Sequence, residues 1–179
     1  MKIAITGHTA GIGQALAEVY YGNEIIGMSK RDGNNIRNIL KICDQIEPCD
    51  MFINNAQAGY SQTELLFEMT KRWQGTKKHI IVISTMMTQE PTSSLPGLDM
   101  DAYRVQKIAL EEAVKQIRNQ HLGVKLTIVR PGNIATSPDK TVPPSADVNN
   151  WARVLVATLR MAEANNLDIP EISLGPLYT

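Results

Sequence analysis

The stretch "KIAITGHTAGIG", residues 2–13, passes from a short apolar segment through a glycine-rich turn into a helical pattern. The segment of residues 2–5 is short and contains two isoleucines, as expected of a buried β-strand. After the turn, apolar side chains recur with the period of one helical face, at Ile12, Leu16, Val19 and Tyr20. This order of strand, glycine loop and helix predicts the first unit of an α/β fold.

The rest of the chain repeats the alternation of strand and helix. Further strand candidates are residues 24–28, 50–53, 79–83, 124–129 and 171–174. Helical patterns lie between most of them, including residues 62–74, the stripe of Leu110, Val114 and Ile117, and the stripe of Trp151, Leu155 and Leu159. Several strands are apolar on both faces, which predicts a parallel sheet with helices on each side. We therefore expect a single domain over residues 1–179, with a doubly wound parallel sheet in three α/β/α layers.

Composition narrows the kinds of partner. The 179 residues are 43% hydrophobic, enough for one core, and carry 18 Lys and Arg against 18 Asp and Glu. Without net charge there is no basic field for nucleic acid or an anionic membrane, so we expect a small-molecule substrate. The chain starts as a strand and turn and has no run of about 18 apolar residues, which favours a cytoplasmic protein. Cys43 and Cys49 have no nearby histidine, so we expect reduced structural thiols and no metal site.

The loop "TGHTAGIG", residues 6–13, has the glycine content that a phosphate-binding turn needs. Glycines at 7, 11 and 13 allow a tight turn, close approach of the backbone to a pyrophosphate, and close packing of helix on strand. Turns use glycine for conformational reasons alone, so the loop by itself is weak support for a ligand. Its position between a strand and a helix favours a nucleotide site.

Four further segments follow this loop at the ends of predicted strands or on a predicted helix. They are "NNAQAG" (residues 54–59), "ISTM" (83–86), "YRVQK" (103–107) and "RPGNIAT" (130–136). With the glycine loop, and in this order, they resemble the short-chain dehydrogenases/reductases. The resemblance spans most of the chain. It implies a Rossmann-like fold and an enzyme that transfers a hydride between a nicotinamide cofactor and a carbonyl, an alcohol or a quinone.

Tyr103 and Lys107 are four residues apart on a predicted helix, so both side chains project from one face. A nearby ammonium stabilises a phenolate, so we expect the pKa of Tyr103 to fall from about 10 toward the working pH. Tyr103 would then act as general acid or base. The resemblance gives Lys107 a second role, a hydrogen bond to the nicotinamide ribose. The alternative is a packing stripe in which Lys107 reaches out to water.

The resemblance also implies a hydroxyl that hydrogen-bonds the substrate oxygen. The register after Ile83 favours Thr85, with Ser84 as the direct rival, although either hydroxyl would also serve to cap a turn. The family's catalytic asparagine has no counterpart between Asn55 and Ser84. The water relay attributed to that asparagine is therefore either supplied by another group or absent.

The resemblance assigns cofactor contacts to residues in most of these segments. They are Thr6, Gly7, His8, Thr9, Gly11, Ile12 and Gly13 in the glycine loop, Asn35 and Ile36 beside the adenine, Asn54, Asn55 and Ala56 near the centre, and Tyr103, Lys107, Pro131, Gly132, Ile134 and Thr136 around the nicotinamide. Asparagines at strand ends and Pro-Gly pairs also form plain turns, which is the alternative for the segments at 54–59 and 130–136.

The end of the second predicted strand bears on the choice between NAD and NADP. Ser29, Lys30 and Arg31 offer a hydroxyl and two cations where an acidic residue would otherwise hold the ribose hydroxyls. Asp32 is a complication, and Ala10 stands where the family often has another basic residue. A solvated surface turn is the alternative. On charge, we favour NADP(H) over NAD(H).

The chain is shorter than most proteins of the family it resembles. Residues 31–50 have room for one short strand pair and one helix, so we expect a helix after the second strand to be missing. Residues 86–102 form a longer connection, a candidate lid over the substrate. Within it Met86, Met87, Leu95, Leu98 and Met100 would suit a small hydrophobic carbonyl or a quinone, although such residues more often form core.

Other functions and assemblies stay open at the level of sequence. The main alternative is a nucleotide-binding sensor or scaffold that keeps the fold without turnover. A sugar-nucleotide epimerase is a weaker option, because the chain lacks a large C-terminal substrate region. The resemblance also implies a homodimer, with a tetramer as a second possibility.

Overall fold

The computed structural model describes residues 1–89, 100–136 and 144–177. In chain order its elements are β1 (Lys2–Thr6), α1 (Gly11–Val19), β2 (Glu24–Met28), α2 (Ile39–Ile46), β3 (Met51–Asn54), α3 (Ser61–Arg72), β4 (His79–Ile83), α4 (Met100–Asn119), β5 (Lys125–Pro131), β6 (Ile134–Ala135), β7 (Ala146–Asp147), α5 (Val148–Ala164) and β8 (Glu171–Leu174). Short 3₁₀ turns follow β2 at Lys30–Asp32 and β4 at Met86–Thr88. All six strand candidates, at residues 2–5, 24–28, 50–53, 79–83, 124–129 and 171–174, are confirmed, and the helix predicted over residues 62–74 is α3.

The main sheet is parallel throughout and has the strand order β2-β1-β3-β4-β5-β8. The chain leaves β1 toward one edge of the sheet and then crosses back to β3 on the other side. After β1 the chain enters α1 on one face of the sheet, whereas after β3 it enters α3 on the opposite face. Open α/β sheets bind ligands in the crevice at such a reversal. The strand order confirms the predicted doubly wound, Rossmann-like fold.

Helices cover both faces of the sheet, as the apolar strands predict. Alternation along β1 sends Ile3 and Ile5 toward the side chains of α1 and α5, while Ala4 faces α2, α3 and α4. Phe52 of β3 is completely buried on the second side. Burial of a side chain of this size contributes about 1.5–3 kcal/mol. The structure therefore has the three α/β/α layers expected from the sequence.

The segment from residue 29 to residue 50 contains the 3₁₀ turn and α2 but no strand, so the predicted strand pair is wrong. Ser29 Oγ accepts a hydrogen bond from the Arg31 amide at 3.0 Å, and Asn35 Oδ1 accepts one from the Arg37 amide at 3.1 Å. Gly33 has a positive φ of 74°. These local contacts satisfy the backbone in turns, which leaves few groups free for a strand ladder.

One other feature was not expected from the sequence. β6 and β7 form a separate two-stranded parallel pair. Residues 90–99, which include Leu95, Leu98 and most of the candidate lid, lie outside the described residues. None of the helices in the described parts of the chain is both long and apolar enough to cross a membrane.

Candidate active site

A cavity of about 480 Å³ opens at the carboxyl ends of β4 and β5, beside the start of α1. Residues from every segment in the family resemblance meet there, although they are far apart in the sequence. The cavity wall includes Ile12, Asn55, Ser84, Thr85, Tyr103, Lys107, Pro131, Gly132, Ile134 and Thr136, all predicted site residues. The larger cavity of about 670 Å³ lies at the opposite end of the sheet, around Arg118 and Lys125, away from these residues.

The glycine loop beside this cavity requires its glycines for two separate reasons. Gly7 and Gly11 have positive φ values of 73° and 55°, a conformation that other L-residues rarely adopt. A Cβ atom on Gly13 would lie 2.2 Å from the Gly7 carbonyl oxygen. A side chain at position 13 would therefore separate α1 from the loop. The open turn in front of the α1 N-terminus has the form that a pyrophosphate needs.

Hydrogen bonds join the end of β1 to the end of β3. Thr6 Oγ1 accepts from the amides of Asn55 and Ala56 at 3.0 and 3.1 Å, and Asn55 Nδ2 donates to the Thr6 carbonyl oxygen at 2.9 Å. On the other side, a Cβ atom on Gly11 would lie 3.2 Å from the Thr136 Cβ. Asn55 and Ala56, predicted near the centre of the cofactor, thus lie on one side of the glycine loop, and Thr136, predicted beside the nicotinamide, lies on the other.

The residues after β2 divide into buried and exposed groups. Ser29 is buried and its hydroxyl caps the 3₁₀ turn, whereas Lys30 and Arg31 are exposed. His8 of the glycine loop covers Gly27, where a Cβ would lie 2.3 Å from the imidazole ring. The His8 Nε2 is 3.7 Å from an Asp32 carboxylate oxygen. Of the predicted residues in this region, Lys30 and Arg31 are therefore the cations that present charge to solvent.

Three other predicted cofactor residues have mainly structural surroundings. The side chain of Ile36 is buried in the hydrophobic core, and Asn35 Oδ1 is used in its own turn. Asn54 is completely buried, and its Nδ2 donates to the Gln62 carbonyl oxygen at 2.9 Å. The Asn54 side chain therefore faces α3, so any contact of this residue with the cofactor would come from its backbone. Thr9 lies half-buried at the tip of the glycine turn.

Tyr103 and Lys107 lie on one face of α4, as the spacing predicts, and both line the cavity. The Lys107 Nζ is 5.6 Å from the centre of the Tyr103 ring. It donates hydrogen bonds to Gln62 Oε1 at 2.8 Å and to the Ile83 carbonyl oxygen at 2.7 Å. The amine is thus directed to the end of β4 and the start of α3. The alternative in which Lys107 reaches out to water is wrong, since its exposed fraction is 3%.

The expected fall in the pKa of Tyr103 is not observed in the free protein. Burial raises the pKa of the phenol, and a hydrogen bond with the Thr85 side chain opposes this only in part. Burial also lowers the pKa of Lys107 to about 7, although the nearby Glu111 carboxylate acts in the opposite direction. The prediction was wrong because it ignored the desolvation of both groups, which disfavours phenolate and ammonium alike.

The structure separates the two candidate hydroxyls. Thr85 hydrogen-bonds Tyr103, so its hydroxyl lies beside the phenol at the cavity. Ser84 Oγ instead donates to Glu111, whose carboxylate also accepts from Thr88 Oγ1 at 2.9 Å. This arrangement favours Thr85 over Ser84 as the hydroxyl that meets a substrate.

A buried ion pair beneath the cavity was missed in the sequence. The Arg130 Nη2 donates to Glu111 Oε2 at 2.7 Å, and its Nη1 contacts Glu171 Oε2 at 2.8 Å. Burial acts to raise the pKa of Glu111, but hydrogen bonds from Arg130, Ser84 and Thr88 outweigh it and the net shift is downward. One signal was available: Glu111 is one helical turn after Lys107, on the otherwise apolar side of α4.

Gln62 is the other residue that the sequence did not indicate. It is 2% exposed and joins Lys107 to the ends of β3 and β4. A single glutamine in the first turn of a helix has no distinctive spacing, so only the fold reveals its contact. Within the described residues, no group of three or more His, Cys, Asp or Glu side chains is placed to hold a metal ion.

No protein-family model matches this sequence, and no curated protein matches it. Solved structures do match. A short-chain dehydrogenase/reductase from Vibrio parahaemolyticus superimposes with a TM-score of 0.78 and 15% identity, covering 98% of this chain and 100% of that one. A short-chain dehydrogenase from Burkholderia cenocepacia in complex with NADP has a TM-score of 0.72 and 16% identity, with coverages of 97% and 87%.

A third match is a 3-alpha-hydroxysteroid dehydrogenase from Pseudomonas sp. B-0831 complexed with NADH. Its TM-score is 0.64 and its identity 17%, and the match covers 97% of this chain and 95% of the dehydrogenase. At these identities the likeness concerns the fold, and it extends over nearly the full length of each chain. Together with the strand order and the glycine loop, it shows that this chain has the fold of the short-chain dehydrogenases/reductases.

Proposed function

We propose that the protein is an NADP(H)-dependent oxidoreductase that transfers a hydride between the nicotinamide and a carbonyl, an alcohol or a quinone. The observation that carries this proposal is the meeting of Thr85, Tyr103 and Lys107 at one cavity, adjacent to the glycine loop. Each of these side chains comes from a different part of the chain or a different turn of α4. Their convergence at the crevice of a doubly wound sheet favours a reaction site over incidental packing.

The glycine loop and the strand ends fit a dinucleotide. The left-handed turns at Gly7 and Gly11 and the missing side chain at Gly13 leave the backbone open in front of α1. Thr136 and Asn55 flank this turn, and Pro131, Gly132 and Ile134 continue the same wall into the cavity. A bound nicotinamide would supply or accept the hydride at this wall.

The proton would come from Tyr103. Because burial raises the pKa of its phenol, Tyr103 holds its proton at neutral pH and is suited to donate it to a substrate oxygen. The Thr85 hydroxyl lies next to the phenol and would orient that same oxygen. Lys107 has a pKa of about 7 and would supply or relay a proton from the floor of the cavity. These protonation states favour the direction of carbonyl reduction.

The preference for NADP(H) over NAD(H) is proposed on charge. Lys30 and Arg31 are exposed directly after β2, and Asp32 is close to His8. A 2′-phosphate on the adenosine ribose would meet these two cations. Purified protein should therefore bind NADPH more tightly than NADH, as measured by quenching of its intrinsic fluorescence. Equal affinity for both cofactors would contradict the preference.

The cavity wall favours an apolar substrate. Met87, Met100 and Ile134 line it beside the polar cluster. We propose a small hydrophobic carbonyl compound or quinone. The test is NADPH oxidation with a panel of aldehydes, ketones and quinones. Failure of every compound to be reduced, with NADPH bound, would favour the alternative below.

The second candidate function is a nucleotide-binding sensor or scaffold. The observation in its favour is that the Lys107 amine is committed to Gln62 and Ile83 and leaves the Tyr103 pKa high. Tight NADPH binding that is not followed by NADPH oxidation with any compound of the panel would support this function over the enzyme.

We also propose a homodimer formed through α3 and α4. These two helices pack against each other and present large apolar side chains to solvent. Phe67 of α3 is 51% exposed, and Val105 and Ile108 of α4 are 51% and 38% exposed. Val105 and Ile108 are three residues apart, so they lie together on the outer face of α4. Burial of this face against a second copy would remove it from water.

A further inference from the structure

Gln62 lies in the first turn of α3, and its carboxamide is buried where three elements meet. The Nε2 donates to the carbonyl oxygen of Asn54 at the end of β3, at 2.7 Å. It also donates to the carbonyl oxygen of Ile83 at the end of β4, at 3.0 Å. The Oε1 accepts the hydrogen bond from Lys107 of α4 at 2.8 Å. Both ends of this one side chain are therefore in use.

The position of the Lys107 amine is determined by the same contacts. The Ile83 carbonyl oxygen accepts from both Lys107 Nζ and Gln62 Nε2, so the three groups form a closed triangle. Gln62 and Lys107 are 2% and 3% exposed. An amine at this depth needs acceptors, because a buried polar group without a partner is strongly destabilising. An ammonium has three N–H donors, and two are used here, so the third is left for the cavity that Lys107 lines.

We propose that Gln62 is the positioning residue for Lys107: its Oε1 holds the amine at the end of β4 and sets how readily that amine carries a proton. The consequence for catalysis rests on the proposed function, but the contact and its effect on the proton do not. Because α3 begins directly after the loop that follows β3, this residue connects the wall of the crevice to the catalytic helix.

Few other groups act on Lys107. On its own helix, Glu111 is one turn further along and favours the charged amine, and Tyr103 is one turn before it. The end of β4 and the start of α3 contribute the uncharged groups of Ile83 and Gln62. The Gln62 amide is uncharged, so it can be removed by substitution while Glu111 and Tyr103 stay in place beside Lys107.

The test is the titration of Lys107 followed by NMR of protein labelled with ¹³C at lysine Cε. In the wild type we expect Lys107 to titrate near pH 7, well below the other lysines. The Gln62→Met variant keeps the volume of the side chain and removes the acceptor. A hydrogen bond to a charged group favours the charged form, so its loss should lower the titration midpoint of Lys107 by about one to two pH units. The Gln74→Met variant, at an exposed position just after α3, is the matched control and should leave the midpoint unchanged.

A second variant covers the case in which Gln62→Met does not fold. Gln62→Asn retains an amide but withdraws it by one methylene from Lys107, and it should shift the midpoint in the same direction. A folded Gln62 variant in which Lys107 titrates as in the wild type would overturn the proposal. So would the absence, in the wild type, of a nuclear Overhauser effect between the Lys107 Cε protons and the Gln62 side chain.

The effect of Gln62 on the proposed reaction is measured in a separate experiment. In Gln62→Met the pH profile of NADPH-dependent reduction should shift by the same amount as the Lys107 titration, with NADPH affinity little changed. A shifted titration without any detectable reduction in the wild type would contradict the proposed oxidoreductase but leave the role of Gln62 intact. A purely structural role would lower stability without moving either midpoint.

Discussion

The side chains of Thr85, Tyr103 and Lys107 illustrate how burial controls a small polar site. All three line the cavity, yet the phenol and the amine are both shifted toward their neutral forms because they are poorly solvated. At neutral pH Tyr103 therefore keeps its proton, whereas Lys107 is protonated in only part of the molecules. Such a site is suited to donate a proton to a substrate oxygen when a hydride donor is held close by.

The two hydroxyls after β4 should give separable phenotypes. Thr85→Val removes the hydroxyl beside Tyr103, and this hydroxyl also accepts a hydrogen bond from the Met87 amide at 3.3 Å. The substitution should lower kcat for carbonyl reduction by about 100-fold or more and the free energy of unfolding by about 1 kcal/mol. Ser84→Ala removes a donor to Glu111 and should lower the free energy of unfolding by about 1 kcal/mol while most activity is kept. Steady-state kinetics and urea unfolding of both variants measure these effects. A larger loss of activity in Ser84→Ala than in Thr85→Val would reverse the assignment.

Lys107 should make stability depend on pH. The pKa of its amine is about 7 when folded and 10.5 in the unfolded reference, so between these values the unfolded chain holds a proton that the folded chain has released. Raising the pH through this window therefore stabilises the wild type. Relative to Lys107→Met, the unfolding free energy of the wild type should rise by a few kcal/mol, about 1.4 per unit of pKa difference, from pH 7 to pH 10. Urea unfolding of both proteins at several pH values tests this, and a difference independent of pH would contradict it.

At the scale of elements, adjacent turns of α4 have two different roles. Tyr103 and Lys107 face the cavity, whereas Glu111, one turn later, binds Ser84 and Thr88 on either side of Thr85. Arg130 at the end of β5 supports that carboxylate from the other side. The strand ends and α4 are thus joined by one buried charged network. The position of Thr85 relative to Tyr103 depends on it.

Removal of one partner of this network should be worse than removal of both. Glu111→Leu leaves the Arg130 guanidinium buried with only the half-exposed Glu171, and should destabilise the fold by about 3–5 kcal/mol. The double variant Glu111→Leu, Arg130→Met removes the unpaired charge and should recover part of that loss. A double-mutant cycle in urea measures the interaction. If the two single effects simply add, the ion pair does not act as a unit.

Regular elements and short-range spacing were accessible from the sequence, whereas contacts between distant residues were not. Strands such as residues 79–83 are buried on both faces, so their apolar runs stand out, and the interval from Tyr103 to Lys107 lies within one helix. The contact of Gln62 with Lys107 spans 45 residues and that of Glu111 with Arg130 spans 19, and no local pattern marks such contacts. The sequence predicted a fall in the pKa of Tyr103, whereas the pKa is raised, because the burial of the phenol depends on the complete fold.

At the scale of the whole molecule, the outer surface of α3 and α4 should form the contact between two copies. Ile108→Glu would place a charge in the proposed interface and should convert a dimer into a monomer. Val154→Glu changes a valine on α5 that is 46% exposed, against 38% for Ile108, and serves as the control. Sedimentation velocity gives the oligomeric state of each protein. A wild-type protein that is monomeric, or an Ile108→Glu variant that stays dimeric, would contradict this assembly.

The fold brings the glycine loop, the hydroxyls that follow β4, and Tyr103 and Lys107 of α4 to one crevice. Comparing the wild type with one variant tests whether these groups act in the same reaction. Wild-type protein and Tyr103→Phe are titrated with NADPH and then assayed by NADPH absorbance with the best substrate of the carbonyl and quinone panel. We expect both proteins to bind NADPH with similar affinity, and the variant to be slower in reduction by about 100- to 10,000-fold, because the proton donor is missing. Equal rates for the two proteins at equal NADPH binding would contradict the assignment of Tyr103 as the general acid.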